Sequence, residues 1–168
     1  MKTFKLLLGA FILLSFSSCN KKNNSVNNVN FAEIVGTYQG SLFNNLTNIT
    51  TDSVYAETTK AGDELIQIHC FGGGFDTTYM LNVYDNGDYT MVCMNGNAFQ
   101  NQYGHACNSS NMMNKSGSTA WDNHMAANHI SSDVHFGSFN MKNHSFNYDF
   151  TMKDNLNNYS IKYNGVRN

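Results

Sequence analysis

Apolar and polar residues alternate with a period of two over much of the second half of the chain. Phe146, Tyr148, Phe150 and Met152 take one side and Ser145, Asn147, Asp149 and Thr151 the other, the pattern of a strand with one buried and one wet face. Tyr159, Ile161 and Tyr163 repeat it after a turn at Asp154 to Asn158, and Val134 to Met141 reads as a strand ahead of it, joined through Lys142-Asn143. In the first half, Gly36 to Phe43, Ser53 to Thr59 and Glu64 to Cys70 are short runs bounded by turn formers, with Ala61-Gly62-Asp63 between the second and third.

Tyr79 to Met94 is the clearest hairpin, because Asn86-Gly87 sits between two apolar runs and that pair favours a two-residue loop. A loop on those two residues pairs Tyr84 with Tyr89, Val83 with Thr90 and Met80 with Cys93. Both faces of this hairpin are fairly apolar, so it should be covered on both sides or sit near the middle of the sheet. The tally is about eight strands, each linked mostly to its sequence neighbour. The expectation is an all-β, antiparallel up-and-down β-barrel, since closure hides the edges that an open sheet would expose. Asn95 to Asp133 is the exception: a long segment poor in alternation, in which Thr119 to His129 predicts a short helix with Trp121 and Met125 on one face.

The N-terminus changes the picture from fold to address. Lys2 and Lys5 precede an apolar run from Leu6 to Leu14, and Ser15-Phe16-Ser17-Ser18 leads directly to Cys19. The run is too short to span a bilayer comfortably and has the layout of a secretion signal. It resembles the lipobox of bacterial lipoproteins, in which the cysteine is acylated and becomes the first mature residue. Phe16 departs from the aliphatic residue usual three places before that cysteine. The resulting organisation is a signal peptide over 1–18, a lipidated flexible tether over 19–33, and a barrel domain over 34–168.

Composition narrows the roles. The chain has ten basic and twelve acidic residues; without Lys2 and Lys5, eight basic residues remain, for a formal net of −4. With no basic cluster beyond Lys21-Lys22, nucleic-acid binding loses its electrostatic footprint. Charged residues make up only 13% of the chain, and asparagine carries much of the polar surface. There is no proline, so turns fall to glycine, asparagine and aspartate. Once Cys19 carries lipid, Cys70, Cys93 and Cys107 are an odd set that allows at most one bridge. Extrapolated register puts Cys70 and Cys93 on one face but too far apart to bond, and Cys93 with Cys107 is the candidate bridge, which would staple the start of the long segment to the barrel.

Gly36-Thr-Tyr-Gln-Gly40 at the start of the domain and Tyr163, Gly165 and Arg167 at its end resemble the calycin-like, lipocalin-related β-barrel lipoproteins of the Bacteroidota. The resemblance implies an eight-stranded barrel that binds a small apolar or amphipathic ligand, and no catalytic residue is carried over with it. In such lipoproteins, surface-destined chains look as though they carry acidic residues after the lipid cysteine. Asn20-Lys21-Lys22 points instead to the periplasmic face of the outer membrane.

Candidate chemistry is sparse. No nucleophile elbow and no framed carboxylate pair is present, so an enzyme is not expected. Phe139, Tyr148, Tyr159 and Tyr163 should project into the barrel together with Phe146, Phe150 and Ile161. They either fill a core or line a cavity in which tyrosine hydroxyls orient one small ligand. A turn at Lys142-Asn143 would put His135 and His144 on that same inner face, at its mouth. His124, His129 and His135, with methionines nearby, suggest a copper or zinc site, although the first two would lie about 140° apart on a helix. No cofactor is expected otherwise. The leading expectation is a monomeric, lipid-anchored, non-catalytic barrel that holds a small molecule or meets another envelope protein. The alternative is a filled barrel that acts through its surface.

Overall fold

The computed structural model describes residues 27–94, 119–128, 136–153 and 158–167. The signal segment, Cys19, Cys107, His129 and His135 lie outside the described residues. Eight strands close into one barrel in sequence order: β1 (Gly36–Asn44), β2 (Ile49–Gly62), β3 (Leu65–Gly72), β4 (Phe75–Asn86), β5 (Tyr89–Cys93), β6 (Phe136–Asn140), β7 (Ser145–Lys153) and β8 (Asn158–Arg167). Each pairs antiparallel with its neighbour, and β8 returns to β1 through partners such as Gln39 with Val166 and Leu42 with Tyr163. The all-β, up-and-down barrel read from alternation is therefore the fold.

Alternation also assigns the faces. Tyr38, Leu42, Val54, Ile66, Ile68, Leu81, Val83, Val92, Phe139, Phe146, Tyr148, Phe150, Ile161 and Tyr163 form one buried cluster inside the barrel. Burying so many apolar side chains is the main driving force for closure, at roughly 1.5–3 kcal/mol for each large one.

Register is where the sequence reading needs correction. The β4–β5 loop is Gly87-Asp88, so Tyr84 pairs with Met91 and Val83 with Val92, two residues away from the expected pairing. The Asp85 side chain accepts a hydrogen bond from the Gly87 amide at 3.1 Å, which starts the turn one residue later than the Asn86-Gly87 pair suggests. Gly87 has φ of 70° and Asp88 is not in the positive region, the φ pattern of a type II′ turn. A shift of two preserves parity, so the faces survive the error. Cys70 and Cys93 do not share a face, however: Cys70 belongs to the inner cluster and Cys93, next to inward Val92, points outward.

A short helix, α1 (Phe31–Ile34), closes one end of the barrel. Asn30 caps it, its side chain accepting from the Ala32 amide at 3.2 Å, and Ile34 is fully buried. Within the segment expected to be a flexible tether, Asn27 to Ile34 are folded against the barrel. The Asn27 carboxamide donates to the Val83 carbonyl at 2.8 Å and accepts from the Asp85 amide at 2.8 Å, imitating a rung of the ladder. Reading that segment by its lack of apolar residues missed this, because a carboxamide docks through hydrogen bonds rather than burial.

A second helix, α2 (Ala120–Asn128), lies on the outer face of β4. Thr119 begins it, its hydroxyl accepting from the Asp122 amide at 3.1 Å. Trp121 and His124 are its buried residues, with Met125 half-buried beside them. This helix is the outer cover that the apolar second face of the hairpin called for.

Candidate functional site

The interior is the first place to look for a ligand, and among the described residues its aromatic centre is closely packed. Phe139 and Phe146 stack at 4.4 Å between centroids, Tyr38 meets them at 5.5 and 5.8 Å, and Phe146 meets Tyr163 at 5.6 Å. Tyr148 and Phe150 meet edge to face at 4.8 Å. Every one of these rings is 2% exposed or less. A void large enough for water beside any of them would leave accessible surface on the ring, so no ligand-sized space adjoins them.

Two of the buried tyrosine hydroxyls are also committed, whereas that of Tyr148 makes no hydrogen bond among the described residues. Tyr163 donates to the Tyr38 carbonyl at 2.8 Å, and Tyr38 donates to the Ile34 carbonyl at 3.1 Å. Thr58, buried beside them, donates to the same Ile34 carbonyl at 2.6 Å and accepts from the Gly36 amide at 3.0 Å. Tyr38 and Thr58 thus hold the plug to the barrel wall, and Tyr163 ties β8 to β1. Loss of hydration pushes the Tyr38 phenol up to about 12 and raises Tyr163 further.

Of the other residues assigned to the interior, Tyr159 is only half-buried, at the end of the barrel away from α1. His144 is a correction. The β6–β7 connection is a four-residue turn, Met141 to His144, and His144 sits in it exposed, at φ of 52°. Its Nδ1 lies 3.4 Å from the Arg167 guanidinium, at the rim of the plugged end. The inner-face assignment extended strand parity one residue into the turn, where it no longer holds.

Arg167 has a role that no sequence motif for chemistry marks. Its Nη1 donates to the carbonyls of Val35 at 3.0 Å and Ala32 at 3.3 Å, tying the last strand to α1. Its position after Tyr163 and Gly165 was noted in the sequence, but only as part of a resemblance.

His124, from the metal set, stacks on Tyr84 at 4.1 Å and contacts Trp121 at 5.3 Å, and Trp121 in turn meets Phe136 at 5.2 Å. Its ring is part of the seam between α2 and the barrel. Among the described residues no group of three His, Cys, Asp or Glu side chains could hold a metal ion. Cys93 is fully buried, with Sγ 3.4 Å from the Met94 carbonyl.

On the outer wall, a groove of about 360 Å³ crosses β1, β8 and β7. Gln39, Val166 and Ser145 form one outward row, and Asn164 and Asn147 the next. Between the rows run the inward positions Gly40, Gly165 and Phe146, whose backbones make the floor. The outside of a barrel is ordinarily convex. Here the β1–β2 register breaks after Gly40, where Ser53 is the extra residue on β2 at φ of 60°, and the paired glycines let β1 and β8 approach closely. A Cβ at Gly40 would collide with the Asn164 carbonyl, and one at Gly165 with the Tyr163 hydroxyl. The same Tyr163 whose hydroxyl ties β8 to β1 therefore underlies the groove.

The groove lining has no charge. Gln39, Asn147 and Asn164 are exposed, and Val166 is 50% exposed, unusual for a branched aliphatic side chain. Asn147 donates to the Ser138 hydroxyl at 2.9 Å, which leaves its Oδ1 to accept. Among the described residues, the Gln39 and Asn164 carboxamides bond to no other group. Outside the lining, Lys162 and Asp149 face each other at 3.7 Å on the β7–β8 wall, and Arg167 follows Val166 at the rim.

No known protein family, curated protein or solved structure matches the chain. The class of molecule is therefore defined by its architecture alone: a closed eight-stranded antiparallel barrel, plugged at one end by an N-terminal helix and latched there by the last strand.

Proposed function

We propose that the protein is a lipid-anchored, non-catalytic envelope module whose solid barrel works through its outer surface. The observation that carries this reading is the closed packing of Tyr38, Phe139, Phe146, Tyr148, Phe150 and Tyr163, each at most 2% exposed, beside a groove on the outside. The aromatic set that favoured an internal ligand supplies the core instead. Anchoring through an acylated Cys19, at the periplasmic face of the outer membrane, is supported by the signal layout of Met1 to Cys19 and by the basic Asn20-Lys21-Lys22 that follows.

Two measurements test it. The mature chain, purified from membranes, should incorporate an alkyne-tagged palmitate that a Cys19→Ala variant does not. It should also fail to take up the apolar fluorophore N-phenylnaphthylamine at one equivalent. Stoichiometric, saturable uptake of that probe, quenching the fluorescence of the buried tyrosines, would restore the internal-ligand reading.

A further inference from the structure

Resting on the surface reading above, we infer that the groove over β1, β8 and β7 is a binding site for a neutral glycan. Three features of its lining select that chemistry. First, Gln39, Asn147, Asn164 and Ser145 each offer groups able to donate or accept, and two of the carboxamides are uncommitted among the described residues. A carboxamide presents a donor and an acceptor side by side, which matches the adjacent hydroxyls of a sugar, each of which is itself donor and acceptor.

Second, the lining has no cation to meet a phosphate or carboxylate and no anion to meet an amine. An ionic ligand would be desolvated there without compensation, so the site discriminates for uncharged molecules. Third, Val166 in the first row and the Cα atoms of Gly40 and Gly165 beside it make an apolar patch next to the carboxamides. A pyranose has the complementary arrangement, with C–H groups on its faces and hydroxyls around its rim. The volume, about 360 Å³, is at the lower end of the ~300–1,000 Å³ found for small-molecule sites, enough for one end or a short internal stretch of a saccharide.

A peptide fits less well. Peptides that lie on sheets do so by adding a strand to a free edge, and β1 and β8 are already paired to each other along seven positions. The groove also lacks the side-chain pockets that would give such a peptide its specificity.

The test uses the mature, membrane-extracted chain in detergent, titrated by calorimetry with three neutral oligosaccharides: maltotetraose, mannotetraose and chitotetraose. Tetragalacturonate and tetra-alanine serve as the charged and peptide probes. At least one neutral saccharide should bind, and its affinity should fall at least tenfold in a Gln39→Ala/Asn164→Ala variant whose thermal unfolding is unchanged. An Asn164→Asp variant, which keeps shape and adds charge, should lose neutral-sugar binding comparably. The inference is overturned if none of the three saccharides binds, if binding survives in both variants, or if tetra-alanine or tetragalacturonate is the probe that binds. These failures are separable from failure of the surface reading, which is decided by uptake of the apolar fluorophore into the barrel.

Discussion

Replacing Phe139 by alanine tests the claim that the barrel is solid. The Phe139 side chain is 1% exposed and stacks on Phe146 at 4.4 Å while touching Tyr38 at 5.5 Å. Returning a phenyl group to water costs about 1.5–3 kcal/mol, and losing the paired ring geometry adds about 0.5–1.5 kcal/mol. The cavity left behind brings the total to the ~3–5 kcal/mol typical of buried aromatic truncation. A domain of this size is stable by roughly 5–15 kcal/mol, so the variant should lose about a fifth or more of its stability. With a urea dependence of ~1–3 kcal/mol/M, its unfolding midpoint should drop by about 2 M at unchanged slope. Tyr89→Ala, at a position 42% exposed, is the control and should cost less than ~1 kcal/mol. The new cavity is apolar and dry, so benzene should bind the Phe139→Ala variant and raise its midpoint, with no such effect on the parent. A loss below ~1 kcal/mol for Phe139→Ala would refute the reasoning, since it would mean that the ring borders slack that the protein maintains for a ligand.

Arg167→Ala removes both carbonyl bonds to α1 and should cost about 1–3 kcal/mol by urea unfolding; Arg167→Lys, which keeps charge but not the fork, should recover less than half of that. Asp149 gives a pH signature. Burial raises its carboxyl above the usual 3.8, only partly offset by Ser160 and Lys162. The folded state therefore holds the proton more tightly than the unfolded one, so the contribution of Asp149 to stability is full below pH 3.8 and is lost as pH rises through the elevated value. Asp149→Asn should raise the urea midpoint at pH 7 and leave it nearly unchanged at pH 3, and a midpoint at pH 7 lower than that of the parent would contradict this. Cys70 is fully buried, with its thiol pushed up to about 12 by desolvation, so iodoacetamide should label it only as fast as the whole domain unfolds, as mapped by peptide mass.

Facing was legible in the sequence to a degree that register was not. The two-residue period puts Phe146, Tyr148, Phe150 and Tyr163 inside whatever the pairing, because a slip by two leaves every side chain on the same face. That is why the β4–β5 hairpin could be misregistered by two with its inner residues still correct. Parity fails where strands end, as at His144, since a four-residue turn consumes positions that alternation alone cannot distinguish from strand. It also misplaced Cys70 relative to Cys93, because the pairing of β3 with β4 had to be extrapolated and a slip by one reverses the face. Asn27 shows a different gap: a single carboxamide matched to one carbonyl and one amide leaves no compositional trace. The groove was invisible for a related reason. It arises from Gly40 meeting Gly165 across strands 125 residues apart, and no local window contains both.

The latch at the plugged end has a consequence for how the chain folds. The bond from Tyr163 to the Tyr38 carbonyl spans 125 residues, and that from Arg167 to the Ala32 carbonyl spans 135. Closing loops of that length must be met in entropy before any β1–β8 contact compensates, which puts such barrels among the slow, millisecond-to-second folders. Hairpins β2–β3, β3–β4 and β7–β8 can form locally, whereas β1 has no partner on its far side until β8 arrives. A chain released one residue at a time from its N-terminus therefore cannot complete the structure until Arg167 has emerged. With no proline anywhere in the sequence, no X-Pro isomerisation adds a slower phase, and barrel closure itself sets the folding time.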